Sequence, residues 1–199
     1  ANKHKIKKFI FLSTENILYK NKDLYTKTKL EAENIVKKFK NYTILRSTLV
    51  YGPHDNKYIS TLIKFIKKYP IIVVLGKGDK LMQPIYVKDL VKCIENCIKY
   101  DVKGTYLIAG GSRVTYNTII SIILRELNLK RLRIYLPIHL SKFLVKIYEK
   151  LSKKPLVRVS QLDNLNKNRV YDIKKSKRIL KYKPYGIEKG IKEMLREEL

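Results

Sequence analysis

No apolar run in this chain of 199 residues approaches the length of a membrane span; even PIIVVLG is far too short. No signal peptide is visible, and the chain begins with Ala1 rather than Met, which places the expected N-terminus further upstream. Cysteine is scarce. Cys93 and Cys97 stand four apart in VKCIENCIKY, with no histidine or carboxylate at ligand spacing, so no metal site is expected. They read as reduced thiols on the apolar face of a helix with Leu90 and Ile94, which suits a cytoplasmic protein. Acidic residues are few: 17 Asp and Glu against 44 Lys and Arg leave a formal net charge of +27. Such an excess can mark a nucleic-acid or anionic-membrane partner. Here the basic residues are scattered among Ile, Asn and Tyr rather than blocked. They read as a compositional bias, and a nucleic-acid partner is not expected. The field still attracts anionic substrates, nucleotides included.

What is present suffices for one sizeable core and a small lobe, since 45% of the residues are hydrophobic. KKFIFLS (7–13) reads as a buried strand. A helix follows from Leu24, with Leu30, Ile35 and Phe39 at roughly helical spacing and Asp23 as its N-cap. YTILRSTLVYG (42–52) reads as a second strand, stopped by Gly52-Pro53, and YISTLIKFIKKY (58–69) as an amphipathic helix. IIVVLGKGD and MQPIYV suggest two strands joined by a glycine-containing turn. Helices are expected over 88–100, 114–127 (capped by Thr115) and 139–151, and strands over 104–111 and 131–137. The tail holds two or three short helices. Strands alternate with helices in the first hundred residues, which argues for a parallel α/β sheet.

Within LYTKTKLEAENIVKKF, Tyr25 and Lys29 share a helix face, because side chains at i and i+4 stack above one another. A free tyrosine titrates near ~10, so for acid–base work at neutrality its pKa has to fall to about 7, at a cost of roughly 4 kcal/mol. An ammonium at about 4 Å supplies roughly that much at an effective dielectric of ~20. With 15 tyrosines in so lysine-rich a chain, the spacing alone is an expected coincidence. Its context is not. FLST just upstream presents Ser13 and Thr14 at the C-terminal tip of a strand, where α/β sheets place ligands. ILRSTLVYGPHDN and MQPIYVKDLVKC follow in order.

This order resembles the short-chain dehydrogenase/reductase superfamily, in its extended and atypical NAD-dependent epimerase/dehydratase branch. FIFLSTEN is similar to the family's strand bearing the Ser/Thr, and YTKTKLEAE to its Tyr-Lys helix. LRSTLVYGPHDN resembles the LRP…VYGPGD segment and PIYVKDLVKCI the VYVDDVA…AI segment. TYLIAGGSRVTYNTII and YGIEKGIKEML extend the likeness over nearly the whole chain. The resemblance implies Tyr25 as general acid/base, Lys29 as its tuner and a holder of the nicotinamide ribose, and Thr14, or failing it Ser13, as the group orienting the substrate oxygen. Backbone around Leu45, Ser47 and Thr48 would border the nicotinamide of NAD or NADP. Glu15 falls where dehydratases carry the first of two acids, but Asn16 stands at the second position. A solvated loop acid is the alternative for Glu15. Gln83 and Tyr86 would edge the substrate cleft, and Arg113 and Arg158 would grip a nucleotide-sugar phosphate. His54 reads as a surface-loop histidine, and Asp89 as the cap of the helix that begins there.

No G-x-G-x-x-G or G-x-x-G-x-x-G occurs. GKGD (76–79) opens no helix and AGG (109–111) lacks a third glycine, so the family's first βαβαβ half reads as absent. The expected fold is therefore the C-terminal part of a Rossmann-type parallel sheet with a smaller helix-rich substrate lobe. Residues 1–110 are assigned to the former, with 53–87 shared, and 111–199 to the latter. The expected function is an NAD(P)-dependent epimerase/dehydratase-type oxidoreductase on a nucleotide-sugar, seen as an N-terminally incomplete chain that holds dinucleotide weakly; a homodimer is one assembly it allows. A non-catalytic NAD(P)H-binding structural or assembly protein, resembling the complex I accessory subunit, is the alternative. A basic nucleic-acid binder is a third reading; it would show steep salt dependence and indifference to Tyr25→Phe.

Overall fold

The computed structural model describes residues 6–20, 22–53, 55, 58–151, 162 and 167–197. The chain divides into two compact units: Ala1–Gly52, Gln83–Ser112 and Tyr171–Ile187 form the first, and Pro53–Met82, Arg113–Val170 and Glu188–Leu199 the second.

In the first unit β1 (Phe9–Thr14), β2 (Tyr42–Ser47) and β7 (Gly104–Ile108) form a parallel sheet in the order β1-β2-β7. Parallel neighbours need a crossover, and helix α1 (Leu24–Val36) supplies it between β1 and β2. Being central, β2 has to be apolar on both faces, and Ile44 and Leu45 are wholly buried. The run expected as one strand over 42–52 is in fact two. At Thr48 the backbone N–H turns to the Ile108 carbonyl and the side chain donates to the Gln83 carbonyl (2.7 Å). Beyond it β3 (Val50–Tyr51) pairs in parallel with β6 (Ile85–Tyr86).

Helix α3 (Val87–Lys99) turns Leu90, Cys93 and Cys97 into a core shared with Leu45, Ile108 and Tyr182. Both thiols are buried and unpaired with each other, as expected; burial pushes Cys97 up to about 11 and Cys93 further. Asp89 corrects an expectation. It does not cap α3, whose cap residue is Tyr86, without a side-chain bond. Instead Asp89 lies buried in the first turn and accepts from the Tyr185 N–H (2.8 Å), tying down the segment after helix α6 (Lys174–Leu180).

Among its described residues the second unit holds two small sheets. β4 (Ile71–Leu75) pairs in parallel with β9 (Leu132–Leu136), and β5 (Leu81–Met82) antiparallel with β8 (Val114–Thr115). MQPIYV is thus divided, Leu81–Met82 serving one unit and Ile85–Tyr86 the other. Helix α2 (Tyr58–Lys68) buries Ile59, Leu62, Ile63 and Ile66, an i, i+3, i+4, i+7 stripe. Helix α4 (Tyr116–Glu126) starts at Thr115, whose hydroxyl accepts from the Thr118 N–H (3.0 Å), as the sequence predicts. Helices α5 (Ile138–Leu151) and α7 (Ile187–Glu197) also belong to this unit, α7 from Glu188 onward.

Candidate functional site

Helix α1 begins where Asp23 accepts from both the N–H and the hydroxyl of Thr26 (2.8 and 2.5 Å). The Thr26 hydroxyl bond, more than any other contact, holds the Asp23 carboxyl below its ordinary range. This cap fixes the first turn, and with it Tyr25. One turn on, the Lys29 ammonium lies 5.9 Å from the centre of the Tyr25 ring and 4.9 Å from that of Phe11. It donates to the Leu12 carbonyl (2.9 Å) near the C-terminal end of β1. Tyr25 is 53% exposed. A cation and a phenol thus meet at the carboxyl end of a parallel strand, one turn inside a helix.

A residue that no sequence motif singles out anchors this helix. Glu33, one further turn along the same face, is fully buried. Arg46 on β2 grips it with two N–H groups, at 2.9 and 2.6 Å, and Lys37 lies 3.8 Å away. Burial pushes the Glu33 carboxyl up, but the hydrogen bonds from Arg46 and the nearby positive charges of Arg46 and Lys37 outweigh it, and the net shift is downward. A signal for it does exist: Tyr25, Lys29 and Glu33 form an i, i+4, i+8 row, and Arg46 stands in the LRS stretch.

Strand alternation sends Ser13 and Thr14 to opposite faces. Ser13 is aligned with Arg46 in the ladder and is buried. Thr14 is the strand's last residue; its hydroxyl accepts from the Asn16 N–H (3.2 Å) and caps a short 3₁₀ turn, Glu15–Leu18. A hydroxyl has one proton to donate besides its acceptor sites, so this cap leaves Thr14 a donor role.

Glu15 is buried, which rules out a solvated loop acid. Tyr171 bonds to it and, hydroxyl to hydroxyl, to Tyr19 at 2.5 Å; burial first, then those two neighbours, raise the Tyr171 phenol well above its usual range. Neither tyrosine stands out in the sequence, because 152 residues separate them.

The other expected residues are scattered. Ser47 donates to the Ser13 carbonyl (3.3 Å), Thr48 to Gln83, and Leu45 turns its side chain into the core, offering only backbone. Gln83 uses both ends of its amide internally, donating to the Gly110 carbonyl (2.9 Å) and accepting from the Tyr171 N–H (3.0 Å). Tyr86 is buried between Tyr51 and Tyr185, with ring centres 5.4 and 5.6 Å away. Arg113 belongs to the second unit. Arg158 and His54 lie outside the described residues.

The glycine-containing stretches serve packing. A Cβ on Gly110 would sit 1.9 Å from the Pro84 carbonyl oxygen. Gly78, at φ +61°, is held against Asn117, whose amide donates to Lys77. Both glycines are thus committed to close internal packing.

The model of the RmlD substrate binding domain family matches residues 10–193. An uncharacterised Escherichia coli protein, YbjS, is 28% identical over 164 residues, covering 74% of this chain and 48% of its own. The chain thus spans about half the length of that curated relative. The UDP-glucose 4-epimerase of Thermotoga maritima, solved with UDP-glucose, is similar over 98% of this chain and 64% of its own, at 20% identity and a TM-score of 0.73. The UDP-glucuronic acid 4-epimerase of Bacillus cereus, solved with UDP-glucuronic acid and NAD, matches 96% of this chain and 61% of its own, at 19% identity and a TM-score of 0.72. A UDP-N-acetylglucosamine 4-epimerase from Methanobrevibacter ruminantium covers 96% and 62%, at 22% identity and a TM-score of 0.72. At these identities the likeness is one of fold.

Proposed function

This chain belongs to the RmlD substrate binding domain family, and from that premise we propose that it carries the acid–base half of an NAD(P)-dependent epimerase/dehydratase-type oxidoreductase acting on a nucleotide-sugar. The observation that carries the reading is the Lys29 ammonium, seated beside the Tyr25 ring and moored to the Leu12 carbonyl. Tyr25 gives or takes the proton of a substrate hydroxyl or carbonyl. Lys29 stabilises the phenolate by Coulomb attraction, weakened by solvent because the phenol is half exposed. Thr14 donates to the same substrate oxygen, because its cap bond to Asn16 leaves its proton to spare. Glu15, held by Tyr171, serves as a fixed acceptor for a sugar hydroxyl.

The residues fit one end of a nicotinamide dinucleotide. Lys29 and the strand ends at Ser47 and Thr48 would hold its ribose side. A bound nicotinamide supplies hydride transfer. The pyrophosphate cradle does not fit anything described, since Gly78 and Gly110 are committed to internal contacts. Dinucleotide therefore binds weakly to residues 1–199 alone, and tight binding by calorimetry would overturn that statement.

The test is turnover of UDP- and dTDP-sugars with NAD or NADP by the protein as encoded in its gene. Activity that Tyr25→Phe abolishes supports the reading. Bound cofactor without turnover favours a structural cofactor-binding role instead.

A further inference from the structure

Helix α5 is amphipathic in the wrong sense for a buried element. Leu140, Phe143, Leu144, Ile147, Tyr148 and Leu151 recur at i, i+3, i+4, i+7, i+8 and i+11, one continuous apolar stripe. Every one of them is exposed, Phe143 by 62% and Leu151 by 81%. The buried residues of α5 among those described, Ser141 and Val145, lie along the Leu144–Tyr148 edge of the stripe, so Phe143 and Ile147 face away from them. The preceding strand repeats the pattern: the aligned pairs Ile71–Leu132 and Val73–Ile134 of β4 and β9 also expose apolar side chains. Exposed apolar patches of this extent mark interaction sites.

Charge selects the occupant. From Lys130 to Leu151 there are six basic residues and one acidic, Glu149. On the helical wheel Glu149 falls away from the stripe and Lys146 beside it. A second copy would bring another +27 against the same face. Nucleic acid would leave the Phe and Leu side chains in water. A convex helix face with apolar residues on one side, edged by Lys146 whose stem can snorkel and set in a segment rich in basic residues, matches an anionic lipid surface. No helix among the described residues is long and apolar enough to cross a membrane, so the fit is to a helix lying on one.

We propose that the exposed stripe of α5 is an interfacial membrane-docking site that seats this protein on anionic bilayers. This stands independently of the proposed enzymatic function. The chain has no tryptophan, so one introduced at Phe143 is an unambiguous reporter. Phe143→Trp is expected to shift its emission to the blue on adding vesicles of phosphatidylcholine mixed with phosphatidylglycerol, and not with phosphatidylcholine alone. Lys92→Trp, exposed in the first unit, is expected to stay unshifted. The wild-type chain should sediment with the anionic vesicles, and Phe143→Glu with Ile147→Glu should weaken that by about tenfold or more. Both side chains are exposed, so the double variant should keep the wild-type circular dichroism. Three outcomes overturn the proposal: no sedimentation of the wild type, equal sedimentation of the double variant (charge alone), or a wild-type dimer that the double variant splits (the face covers a second copy).

Discussion

At the scale of single residues, the row Tyr25, Lys29, Glu33 divides its labour by burial. The half-exposed phenol is available to a ligand, whereas the buried carboxylate is structural. Tyr25→Phe should cost the proposed activity about 10²- to 10⁴-fold in kcat with the fold intact, measured on the same sugar panel. Lys29→Met should move the basic-side transition of the kcat/KM profile upward, because the phenolate loses its counter-charge. Glu33→Gln leaves Arg46 without its buried partner and should cost about 3 kcal/mol by denaturant unfolding. Its pH signature has a definite sign. The folded Glu33 carboxyl titrates below its ordinary 4.5, so its contribution is complete above that pH and is lost as pH falls through the folded value. An unfolding midpoint that holds steady below pH 4.5 in the wild type, relative to Glu33→Gln, would contradict this.

At the scale of elements, two junctions set the geometry at the carboxyl end of the β1-β2-β7 sheet. The Asp23 cap orients the first turn of α1, and Asp23→Ala should cost about 1 kcal/mol. Gly110 follows β7 and lets the backbone pass against Pro84, just before β6. Gly110→Ala places a methyl on a carbonyl oxygen that cannot retreat without moving β6, so a loss of about 3 kcal/mol or more is expected, read from the thermal midpoint. The AGG stretch, which lacks the third glycine of a dinucleotide turn, is therefore explained at Gly110 by close packing.

At the scale of the whole molecule, the +27 charge repels itself. Added NaCl should raise the thermal midpoint as the Debye length falls to about 8 Å at 0.15 M. An unchanged midpoint would mean that the 17 acidic residues already neutralise the field where it matters. The Lys8–Asp101 pair (3.0 Å) and the paired Glu33 are places where they do so locally.

Local rules determined much of this protein. The periodicities over 58–69 and 114–127, and the Asp23 and Thr115 caps, depend on neighbours within a turn or two, so they were legible in the sequence. So was the Tyr25–Lys29 pairing, which follows from helical spacing alone. Tertiary structure decided what depends on distant partners. The break of 42–52 into two strands rests on Gln83 and Ile108. The burial of Glu15 rests on Tyr171, and the reassignment of Asp89 from cap to anchor rests on Tyr185. The division of MQPIYV between two units rests on β8 for one half and β3 for the other. Periodicity states that a helix has an apolar face but not which way that face turns. For α2 it turns inward and for α5 outward, a difference set by the surroundings of each helix.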